Sequence, residues 1–195
     1  MTALALIDAG GANLGSVRYA LERLGVEARI VRDADGLGDA DRIILPGVGA
    51  AAPAMALLRE RGLVEPLRMT RLPLLGICLG MQLLFEGSDE GEVGCLGLLP
   101  GRVRKLVSGA GVRVPHMGWN TLEPMTASPL LDGVDAGASA YFVHSYAAPV
   151  TDDCIAACTH GEIFAAMVRR GNVAGAQFHP ERSAAVGARL LSNFL

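Results

Sequence analysis

The sequence predicts an α/β fold: one domain built on a mostly parallel, doubly wound sheet with an antiparallel strand extension. Three observations carry that prediction. Short, continuously apolar runs alternate with helix-spaced segments from residue 4 to residue 86, as a parallel sheet covered on both faces requires. The second half is rich in strand-like runs separated by glycine and proline, which suits hairpins. No internal repeat, low-complexity tract or linker interrupts the 195 residues, so one domain over residues 1–195 is expected.

The elements follow in order. Leu4–Ile7 reads as a first core strand. Leu14, Val17, Leu21 and Leu24 recur at helical spacing, and Gly25 supplies the stop. Ala28–Val31 is a second strand and residues 42–45 a third. Pro53 is placed to open the next helix at its first position, with Gly62 closing it. Residues 72–77 form the fourth strand, and residues 81–85 continue as a helix-like run. Residues 102–107, 119–122, 140–143, 155–159, 164–168 and 173–177 read as strands. Ser183 caps a final helix whose apolar positions include Val186, Leu190, Leu191 and Phe194.

Composition excludes several classes. With 51% hydrophobic and 19% charged residues, disorder is not expected. A net charge of −3 without a long basic run argues against nucleic acid as a partner. No apolar stretch reaches the roughly 18 residues of a membrane span, and the first residues, with no basic region and an acid at Asp8, read as a strand rather than a signal peptide. Cys78, Cys95, Cys154 and Cys158 contain no close CxxC pair, which fits a reducing, cytoplasmic setting. Cys154 and Cys158 bracket a strand-like run with no His or Cys nearby to complete a ligand set, so neither a metal site nor a cofactor is expected.

The stretch Gly76-Ile77-Cys78-Leu79-Gly80-Met81-Gln82 carries the chemistry. A lone cysteine between glycines at a strand-to-helix turn is the thiol form of a nucleophile elbow. The glycines let the bend form and its flanks pack closely. Cys78 is then expected exposed at a helix N-terminus, where the dipole favours thiolate. The run at residues 173–177 leads into Phe178-His179-Pro180-Glu181. Pro180 disfavours a helical His179, so His179 and Glu181 are expected to lean to one side of an extended segment. Thiol, imidazole and carboxylate are the parts of a triad in which His179 moves the proton and Glu181 fixes its tautomer. Oxyanion donors are the backbone N–H of Leu79 and, from the Pro46-Gly47-Val48-Gly49 loop, that of Val48. The glycine-rich residues 9–15 fit neither a dinucleotide frame nor a Walker lysine.

The cysteine elbow, the His-Pro-Glu end and the Pro-Gly-Val-Gly loop together resemble the triad, or class I, glutamine amidotransferases. Within them the chain is similar, over about residues 4 to 194, to the glutaminase subunits of imidazole glycerol phosphate synthase. That similarity is carried by Pro115-His116-Met117-Gly118-Trp119-Asn120, Tyr141-Phe142-Val143-His144-Ser145-Tyr146 and Gly161-Glu162-Ile163-Phe164. The resemblance implies a flavodoxin-like class I amidotransferase fold with Cys78 as nucleophile, His179 as base and Glu181 as orienter. Gln82 and Glu90 match residues that hold the amino-acid end of glutamine, with Gly49, Ser145 and Tyr146 lining the same pocket. Val48 matches the residue whose amide turns inward to complete the oxyanion hole. Asn13, Trp119 and Arg182 match positions that face a partner.

That partner is expected to be a separate cyclase subunit, a (β/α)8 barrel forming a heterodimer with this chain in histidine biosynthesis. Ammonia cut from L-glutamine through a Cys78 thioester would pass to it, yielding imidazole glycerol phosphate and an aminoimidazole carboxamide nucleotide. Two positions depart from the family pattern. The first loop commonly reads Tyr-Gly-Met-Gly-Asn-Leu but here is Ala9-Gly10-Gly11-Ala12-Asn13-Leu14, and Arg182 stands where lysine is frequent. Two rival readings are a glutaminase subunit of vitamin B6 or anthranilate synthesis, which lacks the 115–120 motif, and a non-catalytic regulatory binding module, which needs a broken triad.

Overall fold

The computed structural model describes residues 3–11 and 13–195. In chain order it contains β1 (Leu4–Ile7), α1 (Leu14–Arg23), β2 (Ala28–Val31), β3 (Arg42–Gly47), α2 (Ala51–Glu60), α3 (Val64–Met69), β4 (Leu74–Cys78) and α4 (Leu79–Gln82). There follow β5 (Phe85–Ser88), β6 (Val93–Gly94), β7 (Leu99–Lys105), β8 (His116–Thr121), β9 (Glu123–Pro124), β10 (Ser139–His144) and β11 (Tyr146–Ala147). Last come β12 (Cys154–His160), β13 (Glu162–Arg170), β14 (Val173–Ala176) and α5 (Ala184–Phe194).

The main sheet runs β2-β1-β3-β4-β14-β13-β12-β9. Its first five strands are mutually parallel and the last three are antiparallel additions. The expected α/β class and antiparallel extension are both present. β1, β4 and β14 are buried at every position, which explains their unbroken apolar or small-residue character. Alternate residues face opposite sides. Leu4, Leu6 and Ile44 pack toward Val17 and Leu21 of α1 and Leu190 and Leu191 of α5. Ala5, Ile7, Ile43 and Leu45 pack toward Met55 and Leu58 of α2 and Leu67 of α3. Two smaller sheets, β8 with β10 and β11-β7-β5-β6, sit beside the main one. No helix among the described residues is long and apolar enough to cross a membrane.

Gly25 ends α1 as expected: at φ +76° its N–H bonds Glu22 O at 2.9 Å, and the Val26 N–H bonds Leu21 O at 3.1 Å. Three local expectations are corrected. Pro53 is the third residue of α2, not the first. The orphan N–H of Ala51 at that helix start is instead bonded by Glu90 Oε2 at 3.0 Å. The helix after Cys78 stops at Gln82, and Phe85 starts β5 against Leu99. Leu83, Leu84 and Phe85 are fully buried, so their apolar run carries no period that separates helix from strand. Ser183 precedes α5 but its side chain does not cap it; the hydroxyl donates to His179 O at 2.7 Å and accepts from the Tyr141 N–H at 2.9 Å.

Candidate active site

Register brings the predicted residues together. Gly47 pairs with Cys78, and Ile77 pairs with Ala176, so the Pro-Gly-Val-Gly loop, the elbow and the segment leading to His179 leave the carboxyl ends of three neighbouring strands. That edge is where ligands collect in such sheets. A cavity of about 370 Å³ opens there, lined by Asn13, Val48, Gly49, Cys78, Leu79, Gln82, Glu90, Val143, His144, Ser145, Tyr146, His179 and Arg182. That volume suits a small molecule. Of the residues singled out from sequence, Glu181 and Trp119 alone do not line it.

Cys78 sits at φ +54°, ψ −111°, a strained conformation for a residue with a side chain. Its glycine neighbours permit the bend. A Cβ at Gly80 would lie 1.7 Å from Leu45 O, and one at Gly76 would lie 2.6 Å from Gly80 O. The expectation of an exposed sulfur at a helix terminus is corrected: Cys78 is 6% exposed and reached through the cavity, and α4 is one turn long, too short to sum many aligned peptide dipoles. Gln177 Nε2 lies 3.8 Å from Sγ, and Val143 O lies 3.9 Å from it.

His179 is held extended at φ −95°, ψ 101°, with its N–H on Tyr141 O at 2.9 Å. Its Nδ1 meets Glu181 Oε1 at 2.9 Å, which leaves Nε2 for the sulfur. Glu181 does not lean from an extended strand as expected. Residues 180–182 form a tight single turn that curls the carboxylate back under the ring. Burial of His179 opposes its charge, but the contacts with Cys78 and Glu181 outweigh that and push its pKa up to about 10. Glu181 shows the opposite balance: burial raises its pKa, yet hydrogen bonds from His179 and Asn13 hold it below the usual carboxylate range.

Gln82 Nε2 donates to Tyr146 O at 2.8 Å and to Gln177 Oε1 at 2.9 Å, so the carbonyl of Tyr146 orients both amides and turns Gln177 Nε2 toward the sulfur. Val48 is crowded by Gly11 at φ +106°, where a Cβ would fall 2.6 Å from Val48 Cγ2. Trp119 is 56% exposed and edge-on to Tyr141 at 5.8 Å, while the Arg182 guanidinium lies over the Tyr141 ring at 5.3 Å. Ala12, the departure in the first loop, lies outside the described residues. Asn13, read from sequence as partner-facing, donates to Glu181 Oε1 at 2.6 Å.

Sequence reasoning missed Gln177 and His144. The signal for Gln177 was a lone amide in a run of small and apolar residues, where a fully buried polar side chain must have a partner.

A thiol, a buried imidazole and a carboxylate at adjacent strand ends, with a small-molecule cavity over the sulfur, define a thiol acyl-transfer enzyme. The chain belongs to the class-I glutamine amidotransferase family, whose model matches residues 5–195. It is 69% identical over 195 residues to imidazole glycerol phosphate synthase subunit HisH of Xanthomonas campestris pv. campestris, covering 100% of this chain and 98% of that protein. The HisH of Xylella fastidiosa is 67% identical with the same coverage. Among solved structures, a glutamine amidotransferase superposes with a TM-score of 0.77 at 25% identity, over 98% of this chain and 96% of the other.

Proposed function

We propose that this chain, as one domain over residues 1–195, hydrolyses L-glutamine and serves as the glutaminase subunit of imidazole glycerol phosphate synthase in histidine biosynthesis. The observation that carries the chemistry is Cys78 and His179 lining one cavity, with the imidazole held from behind by Glu181 at 2.9 Å. The Cys78 sulfur attacks the side-chain amide carbon of glutamine. A carbon–sulfur bond forms, and the carbonyl oxygen takes negative charge beside the N–H groups of Leu79 and Val48. His179 gives its proton to the departing nitrogen, the carbon–nitrogen bond breaks, and ammonia leaves a γ-glutamyl thioester. Water then attacks that carbon, with His179 accepting its proton, and glutamate departs with the thiol restored. Glu181 stays ionised and stabilises the imidazolium. Gly49, Gln82, Glu90, Ser145 and Tyr146 hold the amino-acid end of the substrate, the carboxylate of Glu90 facing its ammonium.

The partner is a cyclase subunit, a (β/α)8 barrel that docks on the face carrying Trp119, Tyr141 and Arg182 and makes a heterodimer. Free ammonia is mostly protonated at neutral pH and is then no nucleophile, so direct handover within a complex is the efficient route. Four free thiols support a cytoplasmic setting. The test is glutamate release by the chain alone and mixed with candidate acceptor synthases. Strong stimulation by the cyclase of imidazole glycerol phosphate synthesis, and none by the partners from vitamin B6 or anthranilate synthesis, is the expected result. Equal turnover with and without the cyclase, or failure of the electrophile diazo-oxo-norleucine to label Cys78 in the complex, overturns it.

A further inference from the structure

A second buried polar network lies against the cavity, and the proposed chemistry uses neither of its two imidazoles. His116 and His144 are 3% and 6% exposed and face each other across the β8–β10 pair, where they are direct register partners. His116 Nδ1 and His144 Nε2 are 3.0 Å apart. His144 Nδ1 is 2.9 Å from Tyr146 O, and His116 Nε2 is 3.2 Å from Asn120 Nδ2. Asn120 Nδ2 is also 2.9 Å from Thr159 O.

Two backbone carbonyls determine every hydrogen position in this series. Tyr146 O only accepts, so His144 carries its hydrogen on Nδ1. A neutral imidazole has one N–H, so His144 Nε2 accepts, and His116 Nδ1 must donate to it. His116 Nε2 then accepts from the Asn120 amide, whose other hydrogen goes to Thr159 O. Both rings are uncharged. Burial, aided by His160, pushes the His116 pKa down to about 4. Burial also takes His144 to about 3, against the Tyr146 hydrogen bond and with His116, His160 and His179 adding to the fall.

The two ends of the series belong to different places. Tyr146 O is the carbonyl that orients Gln82 and, through it, Gln177 beside the sulfur. Val143 and Ser145, flanking His144, line the cavity, and Val143 O lies near Cys78 Sγ. The other end sits on β8, whose buried His116 alternates with Met117 and Trp119, 64% and 56% exposed. One strand therefore presents a wet apolar face outward and one end of a buried hydrogen-bond series inward.

We infer that Asn120, His116 and His144 form a relay of fixed polarity that positions the cavity wall at residues 143–146 and ties it to the exposed face of β8. The three are positioning residues. Their effect on turnover rests on the glutaminase reading above, whereas their hydrogen positions do not.

Nitrogen-15 NMR of the imidazoles in the wild-type chain tests polarity directly. His144 is expected neutral at pH 7 with hydrogen on Nδ1 and His116 neutral with hydrogen on Nδ1. A hydrogen on His144 Nε2, or an ordinary titration near pH 6.5, overturns the relay. His116→Phe keeps the stacking on Phe142 and His160 but removes the donor. Assayed with the cyclase, it is expected to raise KM for glutamine about tenfold with kcat within threefold, and His116→Gln, which retains a donor, to restore KM to within threefold. A folded His116→Phe with KM within twofold of wild type, or equal effects of Phe and Gln, reduces the pair to packing and refutes the proposal.

Asn120→Asp is the second variant. Its carboxylate faces His116 Nε2 and favours a hydrogen there while Nδ1 keeps its own for His144, so His116 should move toward the imidazolium form at pH 7. An unchanged His116 signal in that variant also refutes the relay. If the wild-type complex releases no glutamate, the proposed function fails while the NMR result stands by itself.

Discussion

Asn13 Nδ2 and His179 Nδ1 share one acceptor: Glu181 Oε1 takes the first at 2.6 Å and the second at 2.9 Å. The amide therefore does not merely sit near the triad. It fixes the oxygen on which the imidazole rests and helps keep a nearly buried carboxylate ionised. Hydrogen bonds to charged groups contribute about 1.5–3 kcal/mol. Asn13→Ala is expected to lower kcat for glutaminase at least about tenfold while cyclase binding persists. Steady-state glutamate release, together with a binding titration, checks it. Unaltered kcat would mean that Glu181 needs no help.

The backbone at Cys78 makes an unusual prediction about stability. A glycine is normally worse than alanine by about 0.5–1 kcal/mol inside regular structure. At φ +54° the order should invert, because a Cβ there is strained by roughly 1–3 kcal/mol. Cys78→Gly should resist urea better than Cys78→Ala by about 1 kcal/mol, with both inactive. Alanine being the more stable of the two would show that the elbow is relaxed.

The proton on His179 links the site to pH. Its pKa of about 10 exceeds the ordinary 6.5, so the folded state binds that proton more tightly than the unfolded chain. The associated stability is complete below about pH 6.5 and drains away as pH climbs through 10. Glu181 works in the other direction: its contribution is present above the ordinary carboxylate value and is lost as pH falls through its lowered one. Cys78→Ala deletes one contact that supports the imidazolium. The His179 NMR titration midpoint should therefore move down in that variant, and identical midpoints would count against the sulfur–imidazole pair.

Gly187 governs the triad from behind. A Cβ there would lie 1.8 Å from Pro180 O, so α5 touches the turn between His179 and Glu181 backbone to backbone. Gly187→Ala should cost about 1–3 kcal/mol of stability through overpacking and reduce kcat while leaving KM close to wild type. Calorimetry with kinetics on the complex distinguishes this from plain destabilisation, in which the active fraction alone would fall.

Gly187 also marks where sequence reading stops. The elbow was legible because glycines at 76 and 80 flank one cysteine at the end of a buried run. The imidazole was legible because Pro180 follows it at another strand end. The short α4 was not legible: Leu83, Leu84 and Phe85 are buried on all sides, and tertiary pairing with Leu99 decided their conformation. Ser183 had the composition of a cap, yet its hydroxyl bridges His179 and Tyr141, a contact between segments far apart in the chain. The bond from Asn13 to Glu181 was not legible because the two lie 168 positions apart. Such long-range choices leave no local period behind.

β14 lies between β4 and β13 in the sheet but is the last strand of the described chain. The ribosome therefore releases the elbow long before the residues that activate it. Until the final strand slots into the middle of the sheet, a growing or prematurely clipped polypeptide holds a thiol with no proton shuttle. Glutamine consumption is thereby confined to finished molecules, and a fragment ending before residue 173 should be inert however well its amino-terminal half folds.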